Sequence, residues 1–177
     1  IDLCHPYFIA LMGERYGRPH PPEKFRHLHT EKDEFCWLET CGECSVTELE
    51  ILHATFLPLE EGRVSREYLA EHVRFYFRDP AYPETLPPEE RHRFAEKPEN
   101  RERLDALKTR IRESGLPVTE YGKPEDLGEL ISGHLREIID RKFPESERPT
   151  PLQREAAVSS TWISDKRRLQ LGLRAGS

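Results

Sequence analysis

"PYFIALM", residues 6–12, is an uncharged apolar run of strand length. A run of that kind, without alternation, predicts a strand covered on both faces, as the strands of parallel sheets are. It stops at Gly13, and "GERYGRPHPP" (13–22) follows with two Gly and three Pro, the composition of a turn and loop. Two further runs belong with it: "VRFYFRD" (73–79), ended by Asp79-Pro80, and the shorter "LPVTEY" (116–121).

Helical periodicity fills the gaps between these runs. From Ser45 onward, Val46, Leu49, Leu52, His53 and Phe56 recur at three- and four-residue steps until Pro58. "RERLDALKTRIRESG" (101–115) places Leu104, Leu107 and Ile111 on one stripe, with Gly115 as its C-cap. "PEDLGELISGHLREIIDRKFP" (124–144) opens on Pro124, stops at Pro144 and aligns Leu127, Leu130, Ile131, Leu135, Ile138 and Ile139. Strand, helix, strand, helix, strand, helix predicts an α/β fold built on a parallel sheet.

The remaining segments read as connections. Residues 18–44 form a polar loop rich in His and Cys, with a short helix around "DEFCWLE" (33–39). "YPETLPPEERHRFAEKPEN" (82–100) is an exposed link carrying one short helix, and residues 151–169 form a further polar helix after "SERPTP".

Bulk properties narrow the function. The 177 residues carry 27 basic and 33 acidic side chains, a net charge of −6, interspersed rather than blocked. That balance argues against a general nucleic-acid or anionic-membrane surface. No apolar run approaches the roughly 20 residues of a spanning helix. The cysteines, Cys4, Cys36, Cys41 and Cys44, are distributed unlike a secreted disulfide framework, so a reducing, cytoplasmic setting is expected. The first residue is Ile rather than Met, and the chain is expected to be a fragment whose natural start lies upstream.

Four blocks, "HPYFIALMGERYG" (5–17), "SVTELE" (45–50), "FYFRDP" (75–80) and "LGELISGHLREIIDRKFP" (127–144), resemble in that order an uncharacterised TIR-like domain family. That family stands ahead of NACHT-type (STAND) NTPase modules in large, repeat-containing proteins. The resemblance implies a parallel, doubly wound TIR- or flavodoxin-like sheet over residues 1–144, lacking its first strands. Residues 145–177 then become a linker and helix leading to a downstream NTPase. No GxxxxGK[ST] phosphate loop occurs within the chain itself. The implied role is signalling or oligomerisation. The implied partners are the NTPase and repeat modules of the same parent, or further copies of the chain, with no nucleic acid and no membrane.

Candidate sites follow from residue type and place. Ser45 and Glu48 have the spacing of a capping box, with Ser45 as N-cap and Glu48 reaching back to its N–H. The resemblance supplies a rival: in NAD-cleaving TIR domains a Glu on the corresponding helix faces the nicotinamide ribose. Glu48 or Glu50 would then steady the charge that develops as the glycosidic bond breaks, making the protein an NAD glycohydrolase. Capping is the preferred reading of Glu48. Glu14, Arg15 and Tyr16 follow the first strand, and Arg78 and Asp79 end the second. In an open α/β sheet these positions could line the ligand cleft, although a segment like that of the first three is more often simply a tight turn. Cys36, Cys41 and Cys44 with His27 or His29 could supply four tetrahedral zinc ligands, the basis of a zinc-stabilised binding loop. His134 lies on an apolar helix face, where a satisfied histidine is commoner than a ligand.

Overall fold

The computed structural model describes residues 7–25, 33–39 and 41–144. Two compact units divide the chain, Ile1–Gly128 and Glu129–Ser177.

In the first unit, strand β1 (Phe8–Met12) is followed by two-residue strands β2 (Pro19–His20) and β3 (Cys44–Ser45), with 3-10 helices at Pro22–Phe25 and Asp33–Glu39 between them. Helix α1 (Val46–Ile51) runs through a π-helical turn (Leu52–Phe56) into α2 (Leu57–Glu60). Next come α3 (Arg66–His72), β4 (Val73–Arg78), α4 (Pro88–Arg91) between two 3-10 turns, α5 (Pro98–Glu113) and β5 (Val118–Tyr121). Helix α6 (Pro124–Lys142) begins in this unit and continues into the second.

The sheet order is β1-β4-β5. Both pairings are parallel, with Phe8 opposite Val73 and Phe75 opposite Val118. The expected parallel sheet of a mixed α/β unit is therefore present. β2 and β3 form a separate antiparallel ribbon, Pro19 against Ser45 and His20 against Cys44.

Side-chain alternation gives the sheet two unlike faces. Ala10, Met12, Phe75 and Phe77 share one core with Ile51, Leu52 and Phe56 of the α1 segment and with Leu104, Leu107 and Ile111 of α5. Ile9 and Leu11 face the other way and stay 37% and 51% exposed. The continuous apolar run of β1 thus overstated its burial.

Several local expectations change. The helix from Ser45 does not stop at Pro58. The Leu57 N–H donates to the Leu52 carbonyl, one residue further back than in an α-helix. That wider turn relieves the clash between the Pro58 ring and the preceding turn, and the helix continues to Glu60. The Thr55 hydroxyl donates to the Ile51 carbonyl at 2.6 Å within the same turn. Helix α3, unmarked in the sequence reading, is started by Ser65, whose hydroxyl accepts from the Tyr68 N–H at 3.1 Å. In the second unit the last described helix carries Ile138 buried, while Leu135 and Ile139 are exposed. The helix expected at 151–169 lies outside the described residues. No helix among the described residues is long and apolar enough to cross a membrane.

Candidate functional site at the carboxyl end of the sheet

β1, β4 and β5 all point their carboxyl ends at the segment Gly13–Gly17, because parallel strands share a direction. The backbone leaves β1 at Gly13, where any Cβ would stand 2.5 Å from Arg78 Nη2. Only glycine lets that guanidinium lie against the chain. Gly17 ends the segment at φ +91°, a conformation that side chains other than glycine's disfavour.

Glu14 is 3% exposed and meets Arg78, whose Nε donates to both carboxylate oxygens at 3.1 and 3.0 Å while Nη2 donates to Oε2. The guanidinium also lies 5.0 Å from the Tyr82 ring centre and 4.7 Å from that of Phe94. Burial opposes the Arg78 charge, but the Glu14 carboxylate outweighs it and raises the pKa. Beneath the pair, Lys108 Nζ donates to the Gly13 carbonyl at 2.7 Å, and burial lowers its pKa.

Tyr16 ties a second knot. Its hydroxyl donates to a Glu48 carboxylate oxygen and accepts the Ser45 N–H at 3.3 Å, while its own N–H donates to Glu96 Oε2 at 3.0 Å. Burial, reinforced by the Glu48 hydrogen bond, raises its pKa to about 12. Half of the expected capping box is present: Ser45 Oγ accepts the Glu48 N–H at 3.2 Å. The return bond from Glu48 to the Ser45 N–H is replaced, because the Tyr16 hydroxyl sits between the two groups and bonds to both.

The other candidates fall into place around these pairs. Arg15 and Asp79 are exposed, and Asp79 Oδ1 accepts the Ala81 N–H at 2.8 Å, a turn contact. Glu50 is exposed and lines a different, apolar cleft. Glu48 lines an open cavity of about 340 Å³ with Tyr16, Cys44, Arg103 and Arg110. Its carboxylate is engaged by Tyr16, and Arg110 pairs with Glu60 at 2.7 Å. Tyr16 thus occupies one of the two Glu48 carboxylate oxygens on the wall of this cavity.

Cys41 and Cys44 stand with sulfurs 3.1 Å apart, and Cys36 is exposed. His27 and His29 lie outside the described residues. Among the described residues no group of three or more His, Cys, Asp or Glu side chains gathers as a metal would need. His134 is half-buried.

Sequence reading missed Lys108, Glu96, Tyr82 and Phe94. A signal existed for Lys108, which falls four residues after Leu104 on the apolar stripe of α5. The connector residues had none, since only folding brings them beside Gly13–Gly17.

Tyr16→Phe tests the knot. Losing the hydroxyl orphans the buried Ser45 N–H and should cost about 1–3 kcal/mol in urea unfolding at neutral pH. The pH dependence has a definite sign. A folded pKa near 12 against an ordinary value of 10 means the folded state holds the proton more tightly. This contribution is complete below pH 10 and disappears as pH rises towards about 12. Stability should therefore fall less steeply across that window in Tyr16→Phe than in wild type. Burial also raises Tyr76 and Tyr121, so a remainder of the fall will persist.

No family model matches the chain, and no solved structure matches it. Among curated proteins it is 30% identical over 153 residues to a TPR repeat-containing protein of Dictyostelium discoideum, covering 81% of this chain and 9% of that one. It is 26% identical over 170 residues to tetratricopeptide repeat protein 41 of Homo sapiens and 24% identical over 161 residues to that of Mus musculus. Each match covers 81% of this chain and 12% of the relative. The chain thus spans about a tenth of the length of the relatives it matches. These relatives, named for tetratricopeptide repeats, overturn the reading as a TIR-like domain ahead of a NACHT or STAND NTPase. The described residues nonetheless contain a three-stranded parallel sheet, whereas a tetratricopeptide repeat is a pair of helices.

Proposed function

We propose that this chain is a protein-interaction unit of a longer, repeat-bearing protein, with the repeat region of its own parent as first partner. The observation that carries this reading is an apolar cleft of about 170 Å³ between the 3-10 helix Asp33–Glu39 and α1. Phe25, Phe35, Trp37, Leu38, Val46 and Leu49 line it, with Glu50 and His53. Val46 is 46% exposed there, a position where an apolar side chain gains from being covered. The polar groups at the sheet's carboxyl end bond to one another, which suits a rigid support better than a reaction site.

A second layer over Ile9 and Leu11, completing a doubly wound arrangement, belongs to the same proposal; their exposure and the parallel pairing of β1 support it. So does a cytoplasmic setting, supported by a cysteine distribution unlike a secreted disulfide framework.

Hydrogen exchange compared between the 177-residue chain and its full-length parent tests the interaction. The parent should slow exchange of the α1 amides at least tenfold, and Val46→Glu in the parent should abolish the difference. Equal exchange in the two proteins would remove the cleft as a contact surface.

A further inference from the structure

We propose that Cys41 and Cys44 form a reversible disulfide, making the turn before α1 a redox-responsive modification site. The residues stand in the order Cys-Gly-Glu-Cys. Gly42, at φ +71° with open space around it, bends the chain back so that both thiols face each other. Their sulfurs are 3.1 Å apart, and the Cys44 S–H donates to the Cys41 carbonyl at 3.1 Å. A bonded pair needs about 2.05 Å, an approach of roughly 1 Å that side-chain rotation within a four-residue turn can supply.

Access assigns the roles. Cys41 is half-buried, whereas Cys44 is 7% exposed and packs with Leu38 and Leu49. A small-molecule disulfide of the oxidised-glutathione class meets Cys41 first. The Cys41 thiolate attacks one of its sulfurs, the S–S bond breaks, and one glutathione thiolate leaves. Cys44, deprotonated in turn, attacks Cys41 Sγ and displaces the second glutathione. The two cysteines are oxidised, one glutathione disulfide is reduced to two thiols, and the two cysteine protons end on those thiols. Burial raises both cysteine pKa values, so exchange accelerates as pH rises. Cys44 also pairs with His20 across the β2–β3 ribbon and directly precedes the Ser45 cap, so the bond would fasten the turn to both.

The test equilibrates the 177-residue chain with glutathione buffers of increasing oxidation. Acid quenching, alkylation and peptide mass mapping then follow, in wild type and in Cys4→Ser/Cys36→Ser. Both proteins should lose about 2 Da, two hydrogens, in a peptide linking Cys41 to Cys44, and dithiothreitol should restore them. Cys44→Ser should instead trap one glutathione on Cys41. The proposal fails if both thiols remain fully alkylatable at the most oxidising poise. It fails equally if wild type links Cys41 to Cys4 or Cys36 in preference to Cys44.

Discussion

Arg78→Ala is expected to destabilise the chain by about 3–5 kcal/mol, the range for breaking a buried ion pair from one side. Glu14 is 3% exposed and the Arg78 side chain 17%, so the pair is held largely out of water. Truncation leaves the buried Glu14 carboxylate without its direct partner and removes the cation that lies against the Tyr82 and Phe94 rings. Urea unfolding at pH 7 measures the loss. Replacing both partners by apolar residues of similar size, Glu14→Leu with Arg78→Met, should cost less than the single truncation, since no bare charge remains. A single-variant cost below about 1 kcal/mol would mean that the pair is screened like a surface bridge.

Phe75→Ala should cost about 3–5 kcal/mol, the span for deleting a buried aromatic ring. Phe75 is fully buried at the centre of the middle strand, opposite Ala10 on one side and Val118 on the other. Its ring meets Phe8 edge-on at 6.4 Å, so a cavity there would border two strands at once. Ile9→Ala, on the side of β1 that stays partly exposed, should cost less than about 1 kcal/mol. Comparable losses at the two positions would contradict the assignment of a single core face to β1.

The contrast shows what apolar runs reveal and what they conceal. "PYFIALM" and "VRFYFRD" were legible as strands because burial selects unbroken apolar sequence. Helix α5 was legible because Leu104, Leu107 and Ile111 repeat at helical spacing. Which face of β1 is covered was not legible, since Ile9 and Leu11 are as apolar as Ala10 and Met12. The Glu48 reading went half wrong for a similar reason. The Ser45–Glu48 spacing encodes a cap, but the residue that closes it, Tyr16, comes from a distant turn. Of the cleft candidates, Glu14, Tyr16 and Arg78 turn inward and pair, while Arg15 and Asp79 do not. Strand ends locate such residues, but only packing decides which way each side chain turns. Likewise, the four-block order was real as strand and helix sequence, yet it did not carry the kinship drawn from it.

The Tyr16 knot has a further consequence during synthesis. Its bond to Glu96 spans 80 positions, and the neighbouring Glu14–Arg78 pair spans 64. Parallel pairing offers no local hairpin on which β1 could wait, and closing such long loops is slow. On the ribosome, at about 5–20 residues per second, β1 must remain without its clasp for several seconds after it emerges. The exposed "PYFIALM" segment is thus the stretch that a nascent-chain chaperone would have most reason to shield.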